Sequence, residues 1–152
     1  MANSEPITSK NTQNQNGDAP FAQFEQRTKD VVVRVEPEFL AEQSSATDSR
    51  FIWAYTVEID NQSADDLQLT GRFWQIADSR GQVQEVRGSG VVGEQPTIKA
   101  GEIFRYTSGA PLTAPSGMML GTYRVEPVGG ESYDIDIPAF VLDSPYEGLV
   151  FN

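Results

Sequence analysis

Arg87-Gly88-Ser89-Gly90-Val91-Val92-Gly93-Glu94-Gln95-Pro96 is the stretch on which the reading of the fold turns. Its glycines have the G-x-G-x-x-G spacing of a dinucleotide fingerprint. In that fingerprint a strand enters a tight glycine turn, the turn opens a helix, and the helix N-terminus holds a pyrophosphate. The upstream half fits, since Gln82–Arg87 can be a strand. The downstream half does not: Pro96 follows closely, and residues 94–101 lack any apolar recurrence at i, i+3 and i+4. No helix starts there. Gly88, Gly90 and Gly93 then permit bends, bulges or positive φ in a β-rich connection. A nest of backbone N–H groups, with Arg87 and Lys99 nearby, is the remaining way for this loop to take an anion.

Working outward, strands and turns continue in both directions. Asp78-Ser79-Arg80-Gly81 has Asp and Gly where a type I turn wants them, so Leu67–Ile76 and Val83–Arg87 form a hairpin. The apolar phase of the first arm changes near Gly71, which predicts a bulge. Phe51, Trp53, Tyr55, Val57 and Ile59 share one face of a longer strand. Tyr133, Ile135 and Ile137 do the same near the C-terminus, with Asp134 and Asp136 opposite. Val31–Val35, Ile103–Thr107 and Gly121–Val128 also read as strands. About seven short strands with frequent turn signals and no helical periodicity predict an all-β, two-sheet sandwich.

At 152 residues the chain is expected to be one domain with a tail. Residues 1–28 are read as a disordered N-terminal tail, since 8–18 hold no apolar residue, and 29–152 as the domain. Phe21 and Phe24 mark where the chain begins to dock. Net charge is −11, of which residues 31–152 carry −10. That argues against coating nucleic acid or an anionic membrane, both of which need clustered Lys and Arg. With neither Cys nor His, thiol nucleophiles, thiolate metal sites, imidazole bases and Ser-His-Asp triads are all removed. No signal peptide or membrane-spanning run is read, and a cytoplasmic location is expected.

From about Val31 to Tyr146 the sequence resembles the ApaG (CorD) family. The resemblance is carried in order by Ala41-Glu42-Gln43-Ser44-Ser45, Phe51–Val57, Gly71-Arg72-Phe73-Trp74, Gly88–Pro96, Tyr106–Gly109, Gly117–Tyr123 and Ile135–Phe140. It implies an immunoglobulin/fibronectin type III-like sandwich. It also implies links to cobalt resistance and magnesium efflux, and protein-interaction modules in eukaryotic relatives. Position 73, often His or Tyr in such proteins, is Phe here, which speaks against acid–base work by that ring.

The expected function is therefore a non-enzymatic protein-interaction module with no cofactor, catalytic residue or metal site. Arg72 and Trp74 alternate onto one face of an extended strand, and the hairpin brings Arg87 alongside. Arg72, Trp74, Arg87, Gly88, Gly90 and Gly93 form the expected surface patch for a protein partner, with Arg and Trp as anchors. The alternative is a nucleotide, pyrophosphate or metal-polyphosphate ligand on the glycine loop. Asp134 with Asp136, and Asp65 with Asp66, are carboxylates that could meet a hard cation, although solvated strand and turn positions are by far the commoner explanation of such residues.

Overall fold

The computed structural model describes Ser9–Lys10 and residues 24–146. Ten strands run β1 (Ser9–Lys10), β2 (Phe24–Thr28), β3 (Val31–Phe39), β4 (Phe51–Asn61), β5 (Leu67–Asp78), β6 (Val83–Ser89), β7 (Thr97–Ile98), β8 (Ile103–Leu112), β9 (Gly117–Pro127) and β10 (Tyr133–Leu142). Sheet one has the order β1-β8-β4-β3-β2. Sheet two has the order β10-β9-β5-β6, with β7 paired to the start of β5. All pairings are antiparallel. The fold is a two-sheet β-sandwich.

Side-chain alternation builds the core. Every second residue of β4 from Phe51 to Asn61 is buried, as period-2 geometry demands of a strand with one face inward. Trp53, Tyr106, Tyr123 and Phe140 are among the largest fully buried side chains. Burying each large apolar side chain contributes about 1.5–3 kcal/mol. Asn61, also fully buried, is satisfied by its surroundings: Nδ2 donates to the carbonyls of Asp65 (2.8 Å) and Ile98 (2.9 Å), and Oδ1 accepts from Ser63 N (3.0 Å). One side chain thus ties together the connections flanking β4, β5 and β7.

The expected hairpin is present. Gly81 N donates to Asp78 O (3.0 Å), and Asp78 Oδ1 accepts from the amides of Arg80 and Gln82. The bulge falls between Leu69 and Gly71. The tail is where expectation and structure part. Phe24–Thr28 pairs along its whole length with Val31–Val35, and Ser9–Lys10 pairs with β8. Only Phe24 of β2 carries a large apolar side chain, and backbone pairing to β3 makes the strand. Phe21 and the rest of residues 1–23 lie outside the described residues.

The two long sides of the sandwich differ. On one, β10 closes against β2: Asp136 N donates to Thr28 Oγ1 (3.0 Å), and the Phe24 and Phe140 rings lie 6.2 Å apart. On the other, β6 faces β8 across a gap. No residue of β6 is buried. Its inward positions are Gln84, Val86 and Gly88, opposed by Ser108 and Ala110 of β8. Such side chains leave the space between the sheets unfilled.

Candidate functional site

The glycine loop is a short β-hairpin. Val91 N donates to Glu94 O and Glu94 N to Val91 O, both at 2.9 Å. The two residues between them, Val92 and Gly93, have φ +41° and +81°. Positive φ at both central positions is the signature of a type I′ turn, strained at a β-branched residue such as Val92. Gly90 has φ +56°, and a Cβ on it would stand 1.9 Å from Glu94 O. Gly90 N donates to Thr70 O (2.9 Å). Three amides of the loop are thus spent on backbone carbonyls, and no helix follows.

Gly88 has a different task. A Cβ there would meet the Arg72 guanidinium at 2.7 Å. Arg72 lies over Gly88, and its Nη1 donates to the carbonyls of Ser89 and Gly90, both at 3.1 Å. Arg72 therefore braces the loop from inside, and the loop turns carbonyl oxygens toward it.

The expected patch does not form as one surface. Arg72 and Trp74 do share a face of β5, but it is the inner face. Trp74 is 3% exposed and packs edge-on against Tyr55, Tyr123 and Phe140 at 5.4, 6.3 and 5.9 Å. Arg87 stands on the outer face, its guanidinium 4.2 Å from the centroid of the Phe73 ring, its cross-strand neighbour. Alternation put Arg72 with Trp74 correctly. It could not say which face was inward, and a cation on that face suggested solvent.

What Arg72 and Trp74 do line is a cavity of about 390 Å³ between β6 and β8, with Tyr55, Val86, Val91 and Ser108 among its walls. A second hollow of about 430 Å³ continues toward the Asp78 turn and shares Ile76, Gln84 and Pro111. Burial raises the Tyr55 phenol above its ordinary value, and a hydrogen bond from Ser108 works against that rise. Tyr106 and Tyr123 bond each other's hydroxyls across the sheets. Desolvation holds both phenols well above the usual range, so both stay neutral.

The outer face of sheet two went unread in the sequence. In register across its four strands stand Val141, Met118, Ala77 and Val83, with Leu120 beside Met118. Val83 is 56% and Met118 44% exposed. The signal was present: Gly117-Met118-Met119-Leu120 has no polar residue where strand alternation requires one. Two of the four aspartates have ordinary partners, Arg124 Nη1 on Asp134 Oδ1 (2.7 Å) and Ala100 N on Asp66 Oδ1 (2.9 Å). Among the described residues no group of three candidate ligands is placed to hold a metal, and no helix is long and apolar enough to cross a membrane.

Sandwich, braced glycine hairpin and open edge define a class of β-sandwich domain, and among the described residues no helix follows the glycines to hold a nucleotide. The ApaG domain family is matched over residues 41–127, and the chain belongs to that family. It is 54% identical over 125 residues to Protein ApaG of Methylocella silvestris, covering 82% of this chain and 96% of that one. It is 50% identical over 123 residues to Protein ApaG of Rhodospirillum centenum, covering 81% and 95%. A crystal structure described as an ApaA protein of Bordetella pertussis is similar at TM-score 0.73 and 40% identity, covering 82% of this chain and 98% of that one.

Proposed function

We propose that this protein is a non-enzymatic interaction module whose docking surface is the outer face of sheet two. The observation that carries this reading is the apolar row Val141–Met118–Ala77–Val83, widened by Leu120. An antiparallel sheet facing water normally alternates to polar residues there, and contiguous exposed apolar surface marks interaction sites. The partner presents a complementary apolar strip. Arg87 and Arg124 on the same face supply polar contacts at its rim. A part in cobalt resistance or magnesium efflux, implied by the family resemblance, fits an accessory that binds a transport protein rather than the cation, since the Asp134 carboxylate is engaged by Arg124. Nucleotide or pyrophosphate capture by the 88–93 loop is less well supported: its amides are largely spent and its carbonyls surround Arg72. The test is site-specific photo-crosslinking in cells, with benzoylphenylalanine at Leu120 or, on sheet one, at Glu36. A discrete protein adduct from position 120 alone, lost on Met118→Glu, is expected. Equal adducts from both faces, or none from position 120, would defeat the reading.

A further inference from the structure

We infer that the cavity between β6 and β8 is a binding site for an amphipathic organic acid: one carboxylate or sulfonate group on an aromatic or branched apolar body. The anion would meet Arg72, and the body would lie among Tyr55, Trp74, Val86 and Val91. This goes beyond the docking face, which lies on the opposite side of sheet two.

Charge is the first observation. The chain has 22 acidic and 11 basic residues. Arg27, Arg34, Arg50, Arg105 and Arg124 each have a carboxylate within ion-pair distance. Among the described residues Arg72, Arg80 and Arg87 have none; Arg80 and Arg87 are exposed, and of the three Arg72 alone is partly buried. Its contacts are the Ser89 and Gly90 carbonyls, both made through Nη1. Withdrawing a guanidinium even partly from water without a counter-ion carries a cost. Two carbonyl dipoles offset part of that cost and leave the net positive charge in place. A fold with twice as many acidic as basic residues supplies none of them here.

Space is the second. The cavity, at about 390 Å³, falls in the ~300–1,000 Å³ range of small-molecule sites, which combine apolar walls with few polar groups. The polar groups here include the guanidinium, the Tyr55 phenol, Ser108 and the Gln84 amide. Gly88 keeps the guanidinium in place, since any side chain there would displace it. One cation suits one negative charge. A pyrophosphate or nucleoside triphosphate would bring several charges with nothing further to meet them. The planar fork of arginine pairs well with carboxylate or sulfonate oxygens.

The experiment uses two fluorescent probes of the same shape, anilinonaphthalene sulfonate and its neutral analogue N-phenylnaphthylamine. Both are titrated into the full-length protein and followed by fluorescence and by amide chemical shifts. The sulfonate should bind one-to-one, shifting amides of β6, β8 and residues 90–92, and about tenfold or more tightly than the neutral analogue. Arg72→Met should remove that advantage and leave the neutral probe unchanged, Arg72→Lys should keep most of it, and Val86→Trp should exclude both probes. Equal affinity of the two probes for the parent protein overturns the proposal. So do shifts centred on Met118 and Leu120, or an Arg72→Met variant that holds the sulfonate as tightly as the parent. Should Arg72→Met fail to fold, the parent's preference between the probes and the Val86→Trp exclusion decide the matter.

Discussion

One row of side chains in register crosses the outer face of each sheet. On the outside of sheet one, Glu25, Arg34, Glu58 and Arg105 stand in register on β2, β3, β4 and β8, and their charges alternate. Arg34 reaches Glu25 at 3.2 Å, Glu58 at 3.4 Å and Asp60 at 2.9 Å, and Arg105 reaches Glu58 at 3.3 Å. On the outside of sheet two a row in register is Val141, Met118, Ala77 and Val83. One face satisfies itself and needs nothing from outside. The other leaves apolar area in water. Both rows run in register across antiparallel strands, so the contrast lies in residue choice, and it is the ground on which sheet two is proposed as the docking face.

The strongest way to break this contrast is to break the edge of sheet two. Gly90→Val should cost about 3 kcal/mol or more, since it adds a Cβ into Glu94 O at a positive φ. Calorimetry should show the melting temperature falling by about 10 °C. Retention of the parent value would mean that the hairpin is not the edge's anchor. Removing the charge at the centre of sheet one is a smaller insult. Arg34→Met should cost about 1–2 kcal/mol, since its carboxylate partners Glu58 and Asp60 are only 13% exposed. Repeating the melts in 1 M salt should shrink the difference, because screening weakens the parent's ion pairs. An undiminished difference would point to packing instead.

Between the faces lies the Tyr106–Tyr123 hydroxyl pair. Tyr106→Phe strands one buried hydroxyl and should cost about 1 kcal/mol, whereas replacing both with Phe should cost less. Burial raises both folded-state values above the ~10 of an unfolded tyrosine. Their contribution is therefore full below about pH 10. It is lost as pH rises beyond that, because the unfolded chain releases protons that the folded one retains. The share of phenolate absorbance that comes from these two rings should rise in step with unfolding; their ionisation in the native state would contradict that. The least effect on stability is expected from Met118→Glu on the apolar row, within about 0.5 kcal/mol. A large loss of stability there would show that the residue is structural and weaken its assignment to a docking face.

Alternation made most of this fold readable from the sequence. β4, the Asp78 hairpin, the Gly71 bulge and the Ile135–Ile137 face all declare themselves through side-chain period or turn chemistry. β2 does not, because Phe-Glu-Gln-Arg-Thr is an edge strand held by backbone pairing, and backbone groups are the same in every sequence. Trp74 and Arg72 mark a different limit. Their shared face was legible, but its orientation depends on Gly88 vacating the space a guanidinium needs, a contact between residues on separate strands. The fingerprint glycines show the same limit: spacing alone cannot tell a phosphate cradle from a type I′ turn braced by an arginine.

The seam between β2 and β10 has a consequence for the chain's connectivity. The first and last long strands of the described domain are neighbours, with Phe24 near Phe140 and Thr28 bonded to the amide of Asp136. A short linker from residue 146 back to residue 24 would bridge that seam, and the chain could be reopened at the exposed Ser79–Arg80 turn. Circular permutation is tolerated where a connection is exposed and the joined strands already lie together. The sandwich therefore lends itself to insertion into a surface loop of another protein, with its apolar face carried outward.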